Sequence, residues 1–244
     1  MASPVQKMPE RIIGFDGVSV RYYDRGRIMT ALHDVNFAIT PGQSVAILGT
    51  KGSGKSTLVR LLCNIEKPLV GRVVHHNMTV SWPVWARTGL IRSMTARDNI
   101  RFTAQLYGRS APDIIRRVDD FAHLGAKMDV LLGDLPSSTM AKVMFATAAA
   151  LDFDCYPIDD WLATHDHEFR RRAEDTLQSL RQHSTLVLAT SRTNFVRTYC
   201  DVAYVLHRGV LTHHDTIDEA IRYYRGCAAS SEAAEDPEAT EAGY

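Results

Sequence analysis

The spacing of apolar and polar residues divides the chain into a β-rich start, a helical middle and an alternating α/β end. Residues 18–22 and 31–40 have the alternation of strands, and the second run stops at a Pro-Gly turn. Residues 44–48 are continuously apolar and β-prone, and residues 57–62 then place apolar side chains at helical spacing. We predict an antiparallel β flap over residues 12–40, followed by a buried strand that leads into a helix.

Helical periodicity dominates the middle of the chain. Strand-like runs at residues 71–74 and 79–82 precede helical patterns at 96–108 and 113–124, which keep Arg116 and Arg117 on the polar side. We therefore predict a helical subdomain over about residues 92–150.

Strands and helices alternate in the last third of the chain. Strand patterns at 155–158, 184–189 and 202–206 are separated by helical patterns at 167–182 and 193–199. Strands joined by helices favour a mainly parallel, doubly wound sheet. We predict one α/β domain over residues 1–227. The segment 228–244 has acids, many alanines and no basic residue, so we expect a disordered acidic tail.

Composition excludes several classes of protein. The chain has 244 residues, is 45% hydrophobic and balances 28 basic against 28 acidic residues, so no overall field would attract nucleic acid. Its four cysteines lack C-x-x-C spacing and suit a reducing cytoplasm. The longest apolar run, 143–151, is far short of the roughly 20 residues that span a bilayer. Any membrane contact must therefore come through a partner.

A phosphate-binding motif follows the buried strand. Residues 49–56 read G-T-K-G-S-G-K-S and match the pattern G-x-x-x-x-G-K-[ST] between a strand and a helix. Glycines let the backbone N–H groups point into one hollow, where they and the helix N-terminus hold phosphate. Lys55 reaches the β/γ oxygens and Ser56 offers a hydroxyl to Mg²⁺. The predicted nucleotide-binding residues are Gly49, Thr50, Lys51, Gly52, Ser53, Gly54, Lys55, Ser56 and Thr57.

A second motif, at residues 155–160, is an apolar strand that ends in two carboxylates. If this strand ends beside the phosphate loop, Asp159 holds Mg²⁺ through water and Asp160 faces the γ-phosphate and its attacking water. The alternative is an exposed Asp pair in a turn. Pro157 supports that alternative, because proline removes a ladder donor.

The order of flap, phosphate loop, helical lobe and Asp159-Asp160 resembles an ATP-binding cassette (ABC) ATPase, a P-loop NTPase. Residues 81–83, 97–102, 152–156 and 200–207 more closely resemble the ATP-binding subunit of bacterial capsular-polysaccharide exporters, and the likeness covers about residues 12–215. The resemblance implies an ATPase that binds ATP and Mg²⁺. It also implies a dimer, with itself or with another ATP-binding subunit, below a membrane permease on the cytoplasmic face of the inner membrane. It places Tyr22 against adenine, with Tyr23 as an alternative.

Four positions depart from the family's catalytic pattern. Ile91 falls where the family has a glutamine for Mg²⁺ and water, and residues 135–139 replace a Ser-Gly-Gly signature with Leu-Pro-Ser-Ser-Thr. Asp160 falls at the position of a longer glutamate. Arg192 replaces a histidine near the γ-phosphate, and arginine cannot relay a proton. The chain is thus either an exporter ATPase with impaired hydrolysis or a nucleotide-gated binding module that hydrolyses little ATP. A P-loop kinase or GTPase is disfavoured, because no Asn-Lys-x-Asp guanine signature occurs.

The resemblance gives roles to two further regions. It places Asp166 on a loop that communicates across the dimer, and we do not favour a metal site at His165 and His167 because no third ligand lies at workable spacing. It also places Trp82, Pro83 and Trp85 at the permease docking groove. Packing of Trp82 in the protein core is an equally weighted alternative.

Overall fold

The computed structural model describes residues 11–24, 26–84, 90–160 and 166–235. The strands are β1 (Ile12–Asp24), β2 (Arg27–Ile39), β3 (Val45–Leu48), β4 (Val70–His76), β5 (Cys155–Asp159), β6 (Thr185–Thr190), β7 (Val202–His207) and β8 (Val210–His214). The helices are α1 (Lys55–Leu62), α2 (Ala96–Leu106), α3 (Ala111–Ala122), α4 (Ser137–Ala150), α5 (His167–Arg181), α6 (Val196–Tyr199) and α7 (Ile217–Glu235), with 3-10 turns at Gly125–Asp129 and Leu132–Asp134.

The main sheet has the order β5-β6-β3-β7-β8 and is parallel except for the final β7-β8 hairpin. All four residues of β3 are buried because strands pair on both of its edges and helices cover the sheet. Helix α1 follows β3 and packs against β5 and β6. The predicted α/β fold with a mainly parallel sheet is confirmed.

A separate three-stranded antiparallel sheet forms the flap, in the order β2-β1-β4. Its inner face is apolar, and Phe15 stacks on Phe37 with ring centroids 4.6 Å apart. The predicted flap is therefore present, and β4, which follows α1 in the sequence, completes it. The strand-like run at 79–82 forms no named strand, and Val80 makes only an isolated bridge to Cys155.

Strand β5 lies at the edge of the main sheet, which explains how it accommodates Pro157. Cys155 accepts a hydrogen bond from the Ser81 N–H, and Pro157 accepts one from the Val84 N–H at 2.9 Å. Alternate residues of a strand point their backbone groups to opposite sides, so the missing N–H of Pro157 faces away from β6. The sequence predicted that this strand ends beside the phosphate loop. In the sheet β6 lies between β5 and β3, and the end of β5 still reaches the loop, because Ser56 Oγ donates a hydrogen bond to Asp159.

The described helices between residues 92 and 150 are α2, α3, α4 and the two 3-10 turns. Their packing centres on Phe145, which is fully buried with its ring centroid 5.3 Å from that of Phe121 and 6.1 Å from that of Phe169. Thr95 caps α2 by accepting a hydrogen bond from the Asp98 N–H. Arg116 and Arg117 are exposed, as predicted.

The acidic tail differs from the prediction. Helix α7 continues through residue 228 to Glu235, so the segment expected to be disordered begins as helix. Alanine has the highest helix propensity, which lets the helix extend into an alanine-rich segment. Residues 236–244 lie outside the described residues. Among the residues that the structure describes, no helix is both long and apolar enough to cross a membrane.

We predict that Phe145→Ala destabilises the protein by about 3–5 kcal/mol, because it leaves a cavity among Phe121 and Phe169. Phe102→Ala is the matched control, since Phe102 on α2 is 50% exposed. Urea unfolding followed by circular dichroism measures both. Equal losses in the two variants would contradict the assignment of Phe145 to the core.

Candidate functional site

The loop that joins β3 to α1 is packed too closely for side chains at two glycines. A Cβ atom on Gly49 would contact Ser53 Oγ and lie 2.7 Å from the Leu206 carbonyl oxygen. Gly54 has φ 109°, and a Cβ atom there would overlap the Ala31 carbonyl oxygen. The loop therefore runs against β2 and β7 with its backbone rather than with side chains.

Lys55 folds back across this loop. Its Nζ donates hydrogen bonds of 2.8 Å to the carbonyl oxygens of Gly49 and Thr50. Burial lowers the pKa of Lys55, while the carboxylates of Asp160 and Asp159 act in the opposite direction. The ammonium group thus sits at the mouth of the loop, partly desolvated and held by neutral acceptors that an anion could replace.

Asp159 lies beside the phosphate loop, as the motif at residues 155–160 predicted. Ser56 Oγ donates a 3.2 Å hydrogen bond to Asp159 Oδ1, because the N-terminus of α1 reaches over β6 to the end of β5. Burial raises the pKa of Asp159, and nearby Asp160 adds to the increase against the opposing effects of Ser56 and Lys55.

The hydroxyl of Ser56 and the carboxylate of Asp159 are hard oxygen donors and fit Mg²⁺. The described residues contain no group of three His, Cys, Asp or Glu side chains that could hold a metal. This donor set suits Mg²⁺, which is commonly held by one or two protein oxygens together with substrate phosphates and water.

Asp160 occupies a left-handed backbone conformation, with φ 64°. Its N–H donates to the Ala189 carbonyl at 2.8 Å, and its Oδ1 accepts a 3.1 Å hydrogen bond from Thr190 Oγ1. These contacts turn the chain at the end of β5 and place Asp160 at the edge of the cleft. The orientation of Asp160 is thus fixed by β6, to which Ala189 and Thr190 belong, and not by β5, which Asp160 follows.

One cleft of about 600 Å³ brings most of the predicted residues together. Its lining is Tyr22, Met29, Thr30, Ala31, Lys51, Gly52, Gly54, Lys55, Ser56, Thr57, Asp159, Asp160 and Ser191. Gly49, Thr50 and Ser53 do not line the cleft, and Ser53 is buried behind the loop, where its N–H donates to the Thr50 carbonyl at 3.2 Å. These three residues shape the loop from behind.

The two tyrosine candidates separate clearly. Tyr22 lines the cleft and is half-buried, whereas Tyr23 is 78% exposed and does not line the cleft. The wall of the cleft also contains Met29, Thr30 and Ala31 of β2, which were not among the residues predicted from the sequence. Their residue types carry no chemical signal, and only the pairing of β2 with β1 brings them to the cleft.

The remaining departures from the family pattern lie outside the cleft lining. Ile91 is 45% exposed, with its N–H and carbonyl bonded to the Asn99 side chain. Arg192 is exposed and makes a backbone hydrogen bond to Thr190 Oγ1 at 3.0 Å. Pro136 and Ser138 are exposed at the start of α4.

Trp82 is half-buried and packs near Tyr107 and Phe153, with ring centroids 6.4 and 5.8 Å away. Pro83 is buried, and Trp85 lies outside the described residues. Asp166 caps α5 by accepting a 2.9 Å hydrogen bond from the Phe169 N–H. It also forms a 2.6 Å ion pair with Lys142. His165 lies outside the described residues, and His167 begins α5.

Comparisons with known proteins agree with this geometry. The family model described as ABC transporter matches residues 32–184. The ATP-binding protein BexA of Haemophilus influenzae is 31% identical over 213 residues, covering 87% of this chain and 98% of that protein. The capsule polysaccharide export ATP-binding protein CtrD of Neisseria meningitidis is 32% identical with the same coverage.

Other relatives and structures are similar. The polysialic acid transport ATP-binding protein KpsT of Escherichia coli is 30% identical over 79% of this chain and 87% of its own length. The fold resembles the dimeric ATP-binding cassette MJ0796 bound to ADP and Pi, with a TM-score of 0.70 and 21% identity over 82% of this chain and 98% of that one. It also resembles an ATP-binding subunit of an ABC transporter, with a TM-score of 0.72 and 20% identity over 92% and 98% of the two chains.

We predict that Asp159→Asn stabilises the unliganded protein at neutral pH. The raised pKa means that the folded state binds this proton more tightly than the unfolded chain, so stability is lost as pH rises through that pKa. The variant escapes this loss, and its advantage should shrink as pH falls towards 3.8, the ordinary pKa of aspartate. Urea unfolding at several pH values measures the difference.

Asp129→Asn is the control of opposite sign, because a hydrogen bond from Arg97 lowers the pKa of Asp129. It should not stabilise the protein at neutral pH. A destabilised Asp159→Asn protein would contradict the desolvation argument.

Proposed function

This chain belongs to the ABC transporter family, and we propose that it is the ATP-binding subunit of an exporter for a capsular or other surface polysaccharide. The observation that carries the proposal is the convergence of Lys55, Ser56 and Asp159 on one cleft beneath Tyr22. The relatives BexA, CtrD and KpsT support the assignment to polysaccharide export, because the names of CtrD and KpsT state such transport and similarity to all three extends over most of the chain.

The chain's own residues suggest how ATP is held. Backbone N–H groups of the loop residues that line the cleft, Lys51, Gly52 and Gly54, and the N-terminus of α1 bind the β-phosphate. Lys55 exchanges its hydrogen bonds to Gly49 and Thr50 for the charged β/γ oxygens, which are stronger acceptors. Ser56 and Asp159 hold Mg²⁺, which neutralises phosphate charge. Asp160 orients the attacking water, Arg192 contacts the γ-phosphate region and Tyr22 stacks on adenine.

We propose that two ATP-binding subunits, of this chain alone or paired with another, close on ATP and drive a permease. The exposed start of α4 at Pro136 and Ser138 supports this, since the family's signature loop meets the partner's nucleotide there. The same arrangement places the protein at the cytoplasmic face of the inner membrane, bound through the permease.

We propose that the permease docks beside Trp82. Phe102 and Leu106 on α2 are 50% and 68% exposed, and Tyr107 joins them to Trp82. Exposed apolar residues grouped in this way are typical of an interaction surface.

A second candidate function is a nucleotide-gated binding module that hydrolyses little or no ATP. Ile91 supports it, because an apolar side chain cannot coordinate Mg²⁺ or orient water. Arg192 supports it as well, because a permanent cation without an acceptor cannot relay a proton. Proline at 136 also removes an N–H that the partner's phosphate would need.

We predict that the purified chain binds Mg-ATP and that Lys55→Ala abolishes binding, because the variant loses the ammonium group that lies across the mouth of the loop. Isothermal titration calorimetry measures both. Lys67→Ala is the matched control, since Lys67 is exposed outside the cleft. Absence of binding by well-folded unmodified protein would remove the basis of the proposal.

We predict that the isolated chain hydrolyses ATP about 10²- to 10⁴-fold more slowly than an ordinary enzyme, the range for loss of acid, base or positioning groups. Asp160→Asn should remove the residual turnover, and Asp160→Glu should raise it by restoring reach. Restoring Pro136→Ser with Ser138→Gly should help only at protein concentrations that allow dimers. Phosphate-release assays measure each rate. Turnover of about 1–100 per second by the unmodified chain would leave the plain exporter ATPase standing.

A further inference from the structure

Four side chains form a hydrogen-bonded clamp at one wall of the cleft: Tyr22, Thr57, Arg60 and Glu66. The Tyr22 hydroxyl lies 2.6 and 2.8 Å from the two carboxylate oxygens of Glu66. Arg60 Nη2 donates to the Tyr22 oxygen at 2.9 Å and to Thr57 Oγ1 at 3.1 Å. Arg60 Nε donates to Glu66 Oε2 at 3.0 Å, which closes the ring of contacts.

The hydrogen-bonding capacity of the Tyr22 hydroxyl is used within this clamp. A phenol has one proton to donate, and the short distance indicates that Tyr22 donates it to the carboxylate of Glu66. The phenol oxygen then accepts from Arg60. Tyr22 therefore presents its ring, not its hydroxyl, to a molecule in the cleft.

Partial burial makes the clamp stronger than an ordinary surface ion pair. The side chains of Arg60 and Glu66 are 39% and 24% exposed, and four side chains share the network. The flap also carries an ordinary surface ion pair, between Arg72 and Asp16, whose side chains are 74% and 65% exposed. Exposed pairs of that kind contribute little, whereas shielded networks restrain their members.

The clamp joins the flap sheet to helix α1, which packs against the main sheet. Tyr22 lies on β1 of the flap, two residues before the strand ends at Asp24. Thr57 and Arg60 lie on α1, which begins at Lys55, and Glu66 follows that helix closely. The position of the ring is thus tied to the helix whose N-terminus carries the phosphate-binding residues.

We propose that Arg60 and Glu66 are positioning residues that hold the ring of Tyr22 at a set distance from the phosphate loop, so that it forms a pre-ordered platform for the nucleotide base. The inference rests on the proposed function, in which Tyr22 stacks on adenine. Pre-ordering matters because a side chain that must become immobile on binding reduces affinity. Loss of the clamp should weaken ATP binding by about twofold to tenfold while leaving the phosphate contacts intact.

The experiment compares two probes on the full chain, Mg-ATP and Mg-tripolyphosphate, which lacks a base and a sugar. Calorimetry is performed on Tyr22→Phe, Glu66→Gln and the double variant. Arg60→Lys is included because lysine lacks the planar fork of N–H donors with which the Arg60 guanidinium contacts Tyr22, Thr57 and Glu66. Arg72→Lys is the matched control, since it alters an ion pair on the flap that lies outside the cleft lining.

The expected result has three parts. Each single variant binds ATP more weakly by about twofold to tenfold, and each binds tripolyphosphate as the unmodified chain does. The double variant loses less ATP affinity than the product of the two single losses, because both changes weaken the contact between Tyr22 and Glu66. Arg72→Lys binds both probes normally.

Three outcomes would overturn the inference. The first is normal ATP affinity in Tyr22→Phe and Glu66→Gln, and the second is a loss in the double variant equal to the product of the two single losses. The third is a loss of tripolyphosphate affinity as large as the loss of ATP affinity, which would indicate general damage to α1. If the unmodified chain binds tripolyphosphate and ATP equally tightly, the base platform fails while the phosphate site stands. If it binds neither probe, the proposed function itself fails.

Discussion

The structure around the cleft depends on the close approach of one loop backbone to its neighbours. Gly49 donates to Thr190 at the end of β6, and the space where its side chain would lie is occupied by Ser53 and the Leu206 carbonyl of β7. Gly54 is equally constrained against Ala31 of β2. Because both sheets contact the loop, its shape is set before any ligand arrives, and the N–H groups need little rearrangement to bind an anion.

That rigid loop concentrates unlike charges in a partly dehydrated space. Burial disfavours the ionised forms of Lys55 and Asp159, while each favours the charged form of the other. Without a nucleotide, Lys55 Nζ donates hydrogen bonds to two carbonyl groups of its own loop, which are neutral acceptors. A polyphosphate with a divalent cation would supply the missing charge to both residues. The unliganded site thus holds unfavourable energy that binding can release.

The flap adds a second constraint, because its sheet does not share a strand with the main sheet. Tyr22 contributes to the cleft because β1 is fixed relative to α1, both by a shared apolar core and by the contacts of Arg60, Glu66 and Thr57. The helical subdomain packs around Phe145, and its apolar core is continuous with that of the main sheet. The altered family positions Ile91, Pro136 and Ser138 belong to this part of the chain, and they do not line the cleft. Phosphate binding can therefore persist while catalytic positions diverge.

The sequence by itself determined the fold class and the phosphate loop, since periodicity and glycine spacing are local properties that each segment carries with it. It also predicted that Asp159 and Asp160 end a strand near the phosphate loop. It did not predict the order of strands, because nothing local indicates that β6 lies between β3 and β5. The choice of Tyr22 over Tyr23 was likewise a tertiary matter, because alternation along β1 sends neighbouring side chains to opposite faces, and only the packed α1 distinguishes them. The tail was misjudged because composition indicated disorder while the preceding helix extended through its alanines. Long-range pairing decided what local pattern could not.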